Sequence, residues 1–349
     1  MSNKHVNVGR VRIGGGAPVS VQSMTNTDTR DADATLAQIR ALAEAGCDLV
    51  RVSVYDEECV RVARRLADES PVPLIADIHF NADLAIGAAE NGFAKLRVNP
   101  GNIGGGQNIR RVADCAKAHG VPIRVGVNGG SLERGLLSKH GSPTPAALAE
   151  SALDSARMLE TCGFDDIVIA VKTSRVMDTI EAYRIVSKSC DYPLHIGVTE
   201  AGLPEDGIIK SAVALGALLA DGIGDTMRVS LSGDPIAEAE AARSILRAVG
   251  LLLDKPEIVS CPTCGRTCID VVGLAMRVKD ELADCTLPLR IAVMGCVVNG
   301  PGEAREADIG LAGAPGGVAL FVKGEPPRPV KGDPATALLD EIKRRWTVG

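Results

Sequence analysis

The chain has 349 residues, a formal net charge of −6, ten cysteines, and aromatic residues at only 2% of its length. This acidic composition without a basic run argues against nucleic-acid binding, which needs clustered Lys and Arg and often aromatic rings that stack on bases. No apolar run approaches the roughly 20 residues of a membrane span, and the first residues lack the apolar segment of a signal peptide. We therefore expect a cytoplasmic protein that does not contact membranes.

Along the first two thirds of the chain, short β-branched runs alternate with Ala-rich amphipathic stretches. This alternation is typical of βα units in a parallel sheet. Eight such units favour a (β/α)8 barrel of the TIM type over an open doubly wound sheet. Residues 6–16 predict a small hairpin that plugs the bottom of the barrel. The eight strand candidates are residues 19–24, 48–54, 73–79, 94–100, 122–128, 166–172, 194–199 and 225–231.

The barrel pattern ends with a predicted helix at 235–252, followed by the break Asp254-Lys255-Pro256. We therefore predict a barrel domain over residues 1–253 and a smaller α+β domain over residues 254–349. The long segment 129–145 after the fifth strand predicts a loop that covers the barrel mouth, and Pro326 to Pro329 predict a stiff connector. The predicted strands of the second domain are 257–260, 289–294, 308–313 and 317–322, and its predicted helices are 269–283 and 334–346.

Basic residues occupy the inward parity, or nearly so, of five predicted barrel strands. Ligand-binding groups of this fold lie at the C-terminal ends of the strands, and buried cations need compensating anions. Guanidinium groups match phosphate oxygens in pairs, so the pattern predicts a strongly anionic ligand such as a diphosphate. The six cations are Arg51, Lys95, Arg97, Arg124, Lys172 and Arg228, and the neutral donors near them are Asn99, Asn128, Ser174 and Ser230.

Four further polar residues lie among these cations. Glu200 ends the seventh strand candidate, where it can handle a proton or a substrate hydroxyl. Asp77 is either a catalytic carboxylate or the counter-ion of an arginine. For His79 and His195, a structural role is as consistent with the sequence as a functional one.

Thiols are concentrated near the C-terminus. Cys261-Pro-Thr-Cys264 is followed by Met294-Gly-Cys296, and a Gly/Pro-rich turn then leads to Glu303. Thiolates in this pattern suit zinc or an iron–sulfur cluster, and the spacing alone does not choose between them. Three thiolates with one weaker oxygen ligand favour a cubane whose fourth iron exchanges its ligand for substrate. Cys268 is an alternative third thiol, or a buried residue at the start of a helix.

The strings CPTCGRT and MGCVVNGPGEA resemble the cluster motifs of the 4-hydroxy-3-methylbut-2-enyl diphosphate synthase family, iron–sulfur enzymes of the non-mevalonate isoprenoid pathway. The resemblance extends to VQSMTNTDTRD, ADIHF, LRVNPGNIG, VGVNGGSLE and LHIGVTEAG, and so covers essentially the whole chain. It implies reductive ring opening and dehydroxylation of 2-C-methyl-D-erythritol 2,4-cyclodiphosphate to (E)-4-hydroxy-3-methylbut-2-enyl diphosphate. It also implies flavodoxin or ferredoxin as reductant, and a head-to-tail homodimer in which each cluster domain caps the partner's barrel.

The same resemblance implies roles for individual residues. Cys261, Cys264, Cys296 and Glu303 become the ligands of a [4Fe-4S] cluster, and Glu200 and Asp77 become catalytic groups. A zinc-dependent barrel enzyme, such as an aldolase or a pterin-type transferase, is the alternative interpretation. A pure electron carrier is a third, but it would have no use for the cationic mouth. The implied substrate-binding residues are Arg51, His79, Arg97, Asn99, Arg124, Asn128, Lys172, Arg228 and Ser230.

Overall fold

The computed structural model describes residues 2–296, 306–314 and 316–346. The chain forms two compact units, Met1–Leu251 and Leu252–Gly349. This division falls two residues before the boundary predicted from the Asp254-Lys255-Pro256 break. Within the described ranges, none of the helices combines the length and the apolar character that a membrane crossing requires.

The first unit contains the eight predicted barrel strands, each inside its predicted segment. Their apolar and β-branched residues are buried, as expected of parallel strands that are covered on both faces. The strands are β3 (Ser20–Met24), β4 (Leu49–Ser53), β5 (Leu74–Asp77), β6 (Lys95–Val98), β7 (Ile123–Asn128), β8 (Ile167–Lys172), β9 (His195–Ile196) and β10 (Thr226–Met227).

These strands form one parallel sheet that closes on itself. The hydrogen-bonded order runs from β8 down to β3 and then to β10 and β9. A parallel bridge between Ile169 and Leu194 joins β8 to β9 and completes the ring. The fold is therefore the (β/α)8 barrel predicted from the sequence, with the C-terminal ends of all eight strands at one mouth.

Helices follow the strands in the predicted alternation. Several begin at a side chain that accepts a backbone N–H of the first turn, as Asp31, Asp56 and Thr144 do. The segment 129–145, predicted as a loop, contains a 3-10 turn at Gly129–Ser131 and a short helix. The helices are α1 (Ala32–Glu44), α2 (Glu57–Glu69), α3 (Ala82–Glu90), α4 (Gly106–His119), α5 (Arg134–His140), α6 (Pro145–Glu160), α7 (Val176–Ser189), α8 (Pro204–Ala220) and α9 (Pro235–Ala248).

An antiparallel hairpin precedes the barrel, formed by β1 (His5–Val8) and β2 (Val11–Gly14). Its buried side chains Val6, Val8 and Ile13 pack in one cluster with strand residues near the N-terminal ends of β4, β5 and β8. The hairpin therefore closes the bottom of the barrel, as the sequence predicted. The strand residues of the cluster are Leu49, Ile75 and Val168.

The second unit is an α+β fold built on a five-stranded sheet. Its first three strands are parallel, and the last two join antiparallel. The prediction of a stiff proline connector at Pro326 to Pro329 was incomplete, because Arg328 and Pro329 pair with Leu320 and Ala319 as an edge strand, where proline is tolerated. The elements are β11 (Glu257–Ser260), α10 (Val271–Glu281), β12 (Arg290–Met294), β13 (Ile309–Ala314), β14 (Gly317–Val322), β15 (Arg328–Pro329) and α11 (Pro334–Arg345).

The hairpin plug makes a testable contribution to stability. Ile13 is fully buried in it, whereas Ile209 on α8 is 64% exposed. Ile13→Ala should reduce the free energy of unfolding by about 2 to 5 kcal/mol, and Ile209→Ala should change it by less than about 0.5 kcal/mol. Urea unfolding followed by circular dichroism measures both. Equal stability of the two variants would mean that the hairpin does not seal the barrel.

Candidate functional site

The barrel interior below the mouth holds an unusual amount of positive charge. Lys95, Arg97, Arg124 and Lys172 are at most 8% exposed. The side chains of Arg51 and Arg228 are 13% and 16% exposed. All six predicted cations therefore lie inside the barrel, in the place that the inward parity of their strands indicated.

Two glycines leave room for two of these side chains: Gly126 on β7 lies beside Arg97, and Gly197, just after β9, lies beside Lys172. A Cβ atom at Gly197 would stand 2.4 Å from the Lys172 Nζ atom, and one at Gly126 would stand 3.4 Å from the Arg97 Nε atom. The absence of a side chain at these positions thus provides the volume that the buried amine and guanidinium groups occupy.

Asp77 is the counter-ion of two of the arginines. Arg51 Nη2 donates to Asp77 Oδ2 at 2.8 Å, and Arg97 Nη1 donates to Oδ1 at 3.1 Å. Burial alone would raise the pKa of Asp77, but the charges of Arg51 and Arg97 and the hydrogen bond from His79 hold it well below its ordinary value. These contacts make Asp77 a counter-ion of both arginines, which is one of the two roles that the sequence leaves open for it.

His79 completes this network at its exposed side. Its imidazole nitrogen Nε2 lies 3.3 Å from Asp77 Oδ2 and 3.0 Å from Arg97 Nη1. Half of the side chain remains accessible to solvent. His79 therefore lies where a ligand entering the mouth would meet it.

Arg228 has a separate counter-ion that the sequence analysis missed. Its Nε and Nη2 atoms donate to the two carboxylate oxygens of Glu238 on α9, each at 3.0 Å. Glu238 also accepts from the Ser23 hydroxyl at 2.7 Å and from the Leu231 backbone N–H at 3.0 Å. The signal was present, because Glu238 falls on the apolar face of α9 with Ala242 and Ile245, where a carboxylate needs a partner.

The remaining buried cations have donors without a protein acceptor. Within the described part of the chain, Lys95 Nζ, the Nε and Nη1 atoms of Arg124, and the Nε atoms of Arg51 and Arg97 make no hydrogen bond. Burial, and then repulsion between the cations, lowers the pKa of Lys95, Arg124 and Lys172. Donors of this kind are costly to bury alone, and an anion with several oxygens would satisfy them.

The neutral residues predicted for the site lie around the same cluster. Asn99 is buried, and its Oδ1 atom accepts the Gly101 N–H at 3.0 Å, which shapes the turn after β6. Asn128 at the end of β7 and Ser230 after β10 are half-buried. These residues follow the strands that carry the cations and extend the polar surface toward the mouth.

Glu200 lies in the turn after β9 and is exposed. Its backbone φ is +52°, a left-handed conformation that no other non-glycine residue adopts in the described ranges. Such strain concentrates at functional sites, because a residue is kept there only when its position matters. The observation singles out Glu200 among the acidic residues near the mouth.

In the second unit, the predicted metal-binding thiols come to one edge of the sheet. Cys261 follows β11 and Cys296 follows β12, and the two strands are parallel neighbours, with Ser260 paired to Val293. The Cys261 Sγ atom accepts the Gly295 N–H at 3.0 Å. Hydrogen bonds from the Arg266 backbone N–H and the Thr267 hydroxyl lower the pKa of Cys264, whereas the charge of Cys296 raises it by a smaller amount.

Cys268 differs from its prediction. It is exposed rather than buried, and α10 begins three residues later, at Val271. Its Sγ atom lies 3.4 Å from the Gly295 carbonyl oxygen, which also accepts the Cys268 backbone N–H at 3.0 Å. The Gly295 peptide therefore contacts both Cys261 and Cys268, donating to the first and accepting from the second.

The donor set at this edge fits an iron–sulfur cluster. The thiolates are soft ligands, and N–H donors to sulfur stabilise the deprotonated form that binds metal. Among residues 2–296, 306–314 and 316–346, no three His, Cys, Asp or Glu side chains are close enough to hold a single metal ion. Glu303, the predicted oxygen ligand, lies outside the described residues.

The fold and the sites define a two-domain protein that has a TIM-type barrel with buried cations and a thiol-bearing α+β domain. Sequence comparison narrows this class. The GcpE TIM-barrel domain matches residues 3–243, and the GcpE protein C-terminal domain matches residues 257–345. The chain belongs to the GcpE family.

Named relatives match over nearly the whole chain. A protein of Caldanaerobacter subterraneus subsp. tengcongensis is 53% identical over 339 residues, which is 97% of this chain and 95% of that protein. One of Maridesulfovibrio salexigens is 55% identical over 326 residues, 93% of this chain and 91% of that protein. Both are named 4-hydroxy-3-methylbut-2-en-1-yl diphosphate synthase (flavodoxin).

Solved structures resemble the barrel. Dihydropteroate synthase of Yersinia pestis has a TM-score of 0.52 at 14% identity and covers 71% of this chain and 98% of its own. Type I 3-dehydroquinate dehydratase of Clostridium difficile has a TM-score of 0.52 at 15% identity, and the match covers 70% of this chain and 97% of that protein. At this identity the likeness shows the fold alone.

The Arg228–Glu238 pair is a test of the charge balance. Glu238→Gln should reduce the free energy of unfolding by about 3 kcal/mol, because it leaves a largely buried guanidinium without its counter-ion. Glu240→Gln on the exposed face of α9 is the matched control. Adding Arg228→Met to Glu238→Gln should recover part of the loss in urea unfolding. A Glu238→Gln protein as stable as the control would contradict this account.

Proposed function

We propose that the protein converts 2-C-methyl-D-erythritol 2,4-cyclodiphosphate to (E)-4-hydroxy-3-methylbut-2-enyl diphosphate by reductive ring opening and dehydroxylation. The observation that carries the proposal is the set of buried cationic donors without protein acceptors in the barrel. A cyclic diphosphate supplies oxygens on both phosphorus atoms for these donors. The names of relatives that share more than half of their residues with this chain support the same reaction.

In this proposal the barrel domain, residues 1–253, holds the diphosphate. The donors of Arg124 and Arg97 without acceptors, and Arg51 beside them, support direct contacts to phosphate. Asp77 and Glu238 then keep the arginines in place by accepting their remaining N–H groups. The proposed diphosphate-binding residues are Arg51, His79, Arg97, Asn99, Arg124, Asn128, Lys172, Arg228 and Ser230.

Glu200 is proposed as the group that handles the proton of the departing hydroxyl. The overall reaction takes up two electrons and two protons and releases one water, so a hydroxyl must leave in protonated form. The strained backbone at the end of β9 supports a functional position for this carboxylate. Asp77, held between two arginines, is proposed to act by positioning them rather than by exchanging a proton.

The C-terminal domain, residues 254–349, is proposed to hold a [4Fe-4S] cluster through Cys261, Cys264, Cys296 and Glu303. The convergence of β11 and β12 and the Gly295 N–H donated to Cys261 support the thiol ligands. When bound, such a cluster supplies electrons singly and an iron that can accept a substrate oxygen. The carboxylate of Glu303 is a hard ligand suited to the exchangeable position.

Flavodoxin is proposed as the electron donor, supported by the names of the relatives, and ferredoxin remains a predicted alternative. No disulfide joins any of the ten cysteines, all of which lie in the described ranges. This state supports the proposal that the protein works in the reducing environment of the cytoplasm.

A head-to-tail homodimer, in which each cluster domain caps the partner's barrel, is proposed to complete the site. The last barrel helix, α9, runs antiparallel to its strand and returns the chain toward the end of the barrel opposite the mouth. Phe80, Met177 and Leu203, which follow the mouth ends of β5, β8 and β9, are 74%, 68% and 69% exposed. An apolar rim of this kind supports a mouth that another surface covers.

Two variants separate the proposed halves of the site. In anaerobically purified protein, Cys296→Ser should lose most iron and sulfide and all turnover while it still binds the cyclodiphosphate. Arg124→Ala should keep the metal content and weaken substrate binding by about tenfold or more, since it removes a charge-assisted contact. Metal and sulfide analysis, calorimetric binding and a turnover assay measure these effects, with Cys285→Ser, in the buried core of the second unit, as control.

The proposal fails if wild-type protein contains zinc in place of iron and sulfide, or does not turn over the cyclodiphosphate with a competent reductant. Full iron content in Cys296→Ser together with its loss in Cys268→Ser would move the third ligand to Cys268.

The dimer proposal predicts complementation between inactive chains. Mixing Cys264→Ser with Glu200→Gln, under conditions that allow subunits to exchange, should restore part of the turnover, because one hybrid site contains both intact halves. Random exchange makes half of the dimers hybrid, and one of the two sites in each hybrid is intact. Activity should therefore approach about a quarter of wild type. No recovery after exchange confirmed by mass spectrometry would mean that each chain completes its own site.

A further inference from the structure

Lys172 differs from the other cations of the mouth in its partner. Its Nζ atom lies 3.1 Å from the Nε2 atom of His195 on the neighbouring strand β9. Gly197, two residues further along β9, leaves the space in which the amine lies. Because alternate residues of a strand face the same side, His195 and Gly197 together form the wall of the barrel beside Lys172.

No carboxylate is available to Lys172 in the described ranges. The oxygens of Asp77 are taken by Arg51, Arg97 and His79. Those of Glu238 are taken by Arg228, the Ser23 hydroxyl and the Leu231 N–H. The amine is therefore held by an imidazole alone.

His195 is fully buried and accepts this hydrogen bond as a neutral ring. Burial, and then the charges of Lys172 and Arg124, lower its pKa well below the ordinary value. The ring must then carry its hydrogen on Nδ1, which has no protein partner. Tyr183 fixes the strand behind the ring by donating its hydroxyl to the His195 carbonyl oxygen.

The Lys172–His195 pair can gain or lose a proton, whereas the arginines around it keep their charge. A guanidinium does not lose its proton in a protein, whereas a buried amine does. Burial and repulsion lower the pKa of Lys172, and an anion beside the amine would raise it again. The charged groups that face the pair are Arg51 on β4, Lys95 and Arg97 on β6, Arg124 on β7, and Arg228 at the end of β10.

We propose that His195 is a positioning residue that holds the Lys172 amine in the barrel mouth, and that the Lys172–His195 pair takes up one proton from solvent when the dianionic cyclodiphosphate binds. The inference rests on the proposed function, which supplies the dianion. It adds a proton-coupled binding step in which the proton moves from water to the pair and no covalent bond changes.

Calorimetry on the oxidised holoenzyme without reductant tests the proton uptake. Titration of the cyclodiphosphate in buffers of different ionisation enthalpy gives the number of protons bound. A cyclic diphosphate lacks the ionisation near about pH 6 of a phosphate monoester, so the ligand adds no protons of its own. At a pH between the pKa of the free pair and the higher pKa of the pair beside the bound dianion, wild type should take up close to one proton, and over that range its affinity should fall by about tenfold per pH unit.

Lys172→Arg keeps the charge but cannot lose a proton, so it should bind with no uptake and with affinity independent of pH. Lys172→Gln should also show no uptake, which keeps the test valid if the larger arginine disturbs the wall. Lys95→Met tests the alternative titrating group, because Lys95 is also fully buried and burial beside Arg124 and Arg51 lowers its pKa as well; if Lys172 is the group that takes up the proton, Lys95→Met should keep the uptake. Uptake that persists in Lys172→Arg, or that disappears in Lys95→Met instead, overturns the proposal.

The positioning role has its own readout. His195→Gln places an amide oxygen near the original Nε2 position, whereas His195→Leu offers no acceptor. We expect His195→Leu to weaken binding by about tenfold and His195→Gln to stay within about threefold of wild type. Equal affinity of the two variants, at any value, would show that the hydrogen bond does not position Lys172. Failure of the wild type to bind the cyclodiphosphate at all would instead reject the proposed function.

Discussion

Buried positive charge is the constraint on which the barrel depends. Six basic side chains share an interior with two acceptor carboxylates, Asp77 and Glu238. The oxygens of Asp77 are bound by Arg51, Arg97 and His79. Those of Glu238 are bound by Arg228, Ser23 and Leu231. In the described ranges the remaining donors therefore have no protein acceptor. The buried apolar residues of the barrel and the hairpin plug stabilise the fold elsewhere. In the proposed function, the donors without acceptors contribute to the affinity for the diphosphate.

Both units of the chain use parallel strands to bring functional side chains together, arginines in the barrel and cysteines in the second unit. In the barrel, parallel strands bring Arg51, Arg97 and Arg124 into one interior, with Arg97 paired directly to Arg124. In the second unit, the parallel pair β11 and β12 delivers Cys261 and Cys296 to one edge. Parallel strands thus bring residues that are distant in sequence close together. Loops, such as the one that carries Glu200, add side chains beyond the strand ends.

Much of this was predictable, because periodicity determines which way a strand residue faces. The eight barrel strands and the inward position of Arg97 follow from β-branched runs and alternation. The partner of Arg228 was not predicted, although it lies only ten positions later, because the sequence does not show how α9 packs against the strand before it. Cys268 was misplaced because its exposure depends on where α10 begins, and helix ends are the least certain feature of a sequence pattern. The left-handed backbone of Glu200 has no signature in its residue type.

Glu238 also joins the first and the last βα units of the barrel. It accepts from Ser23 on the first barrel strand, 215 residues earlier in the chain. During translation, Arg51, Asp77 and Arg97 are synthesised well before Arg228 and its counter-ion on α9. A nascent chain that lacks this helix therefore contains both an open wall and an uncompensated charge. Helix α9 supplies both the last part of the barrel wall and the counter-ion of Arg228. The barrel therefore cannot close before this helix has been synthesised.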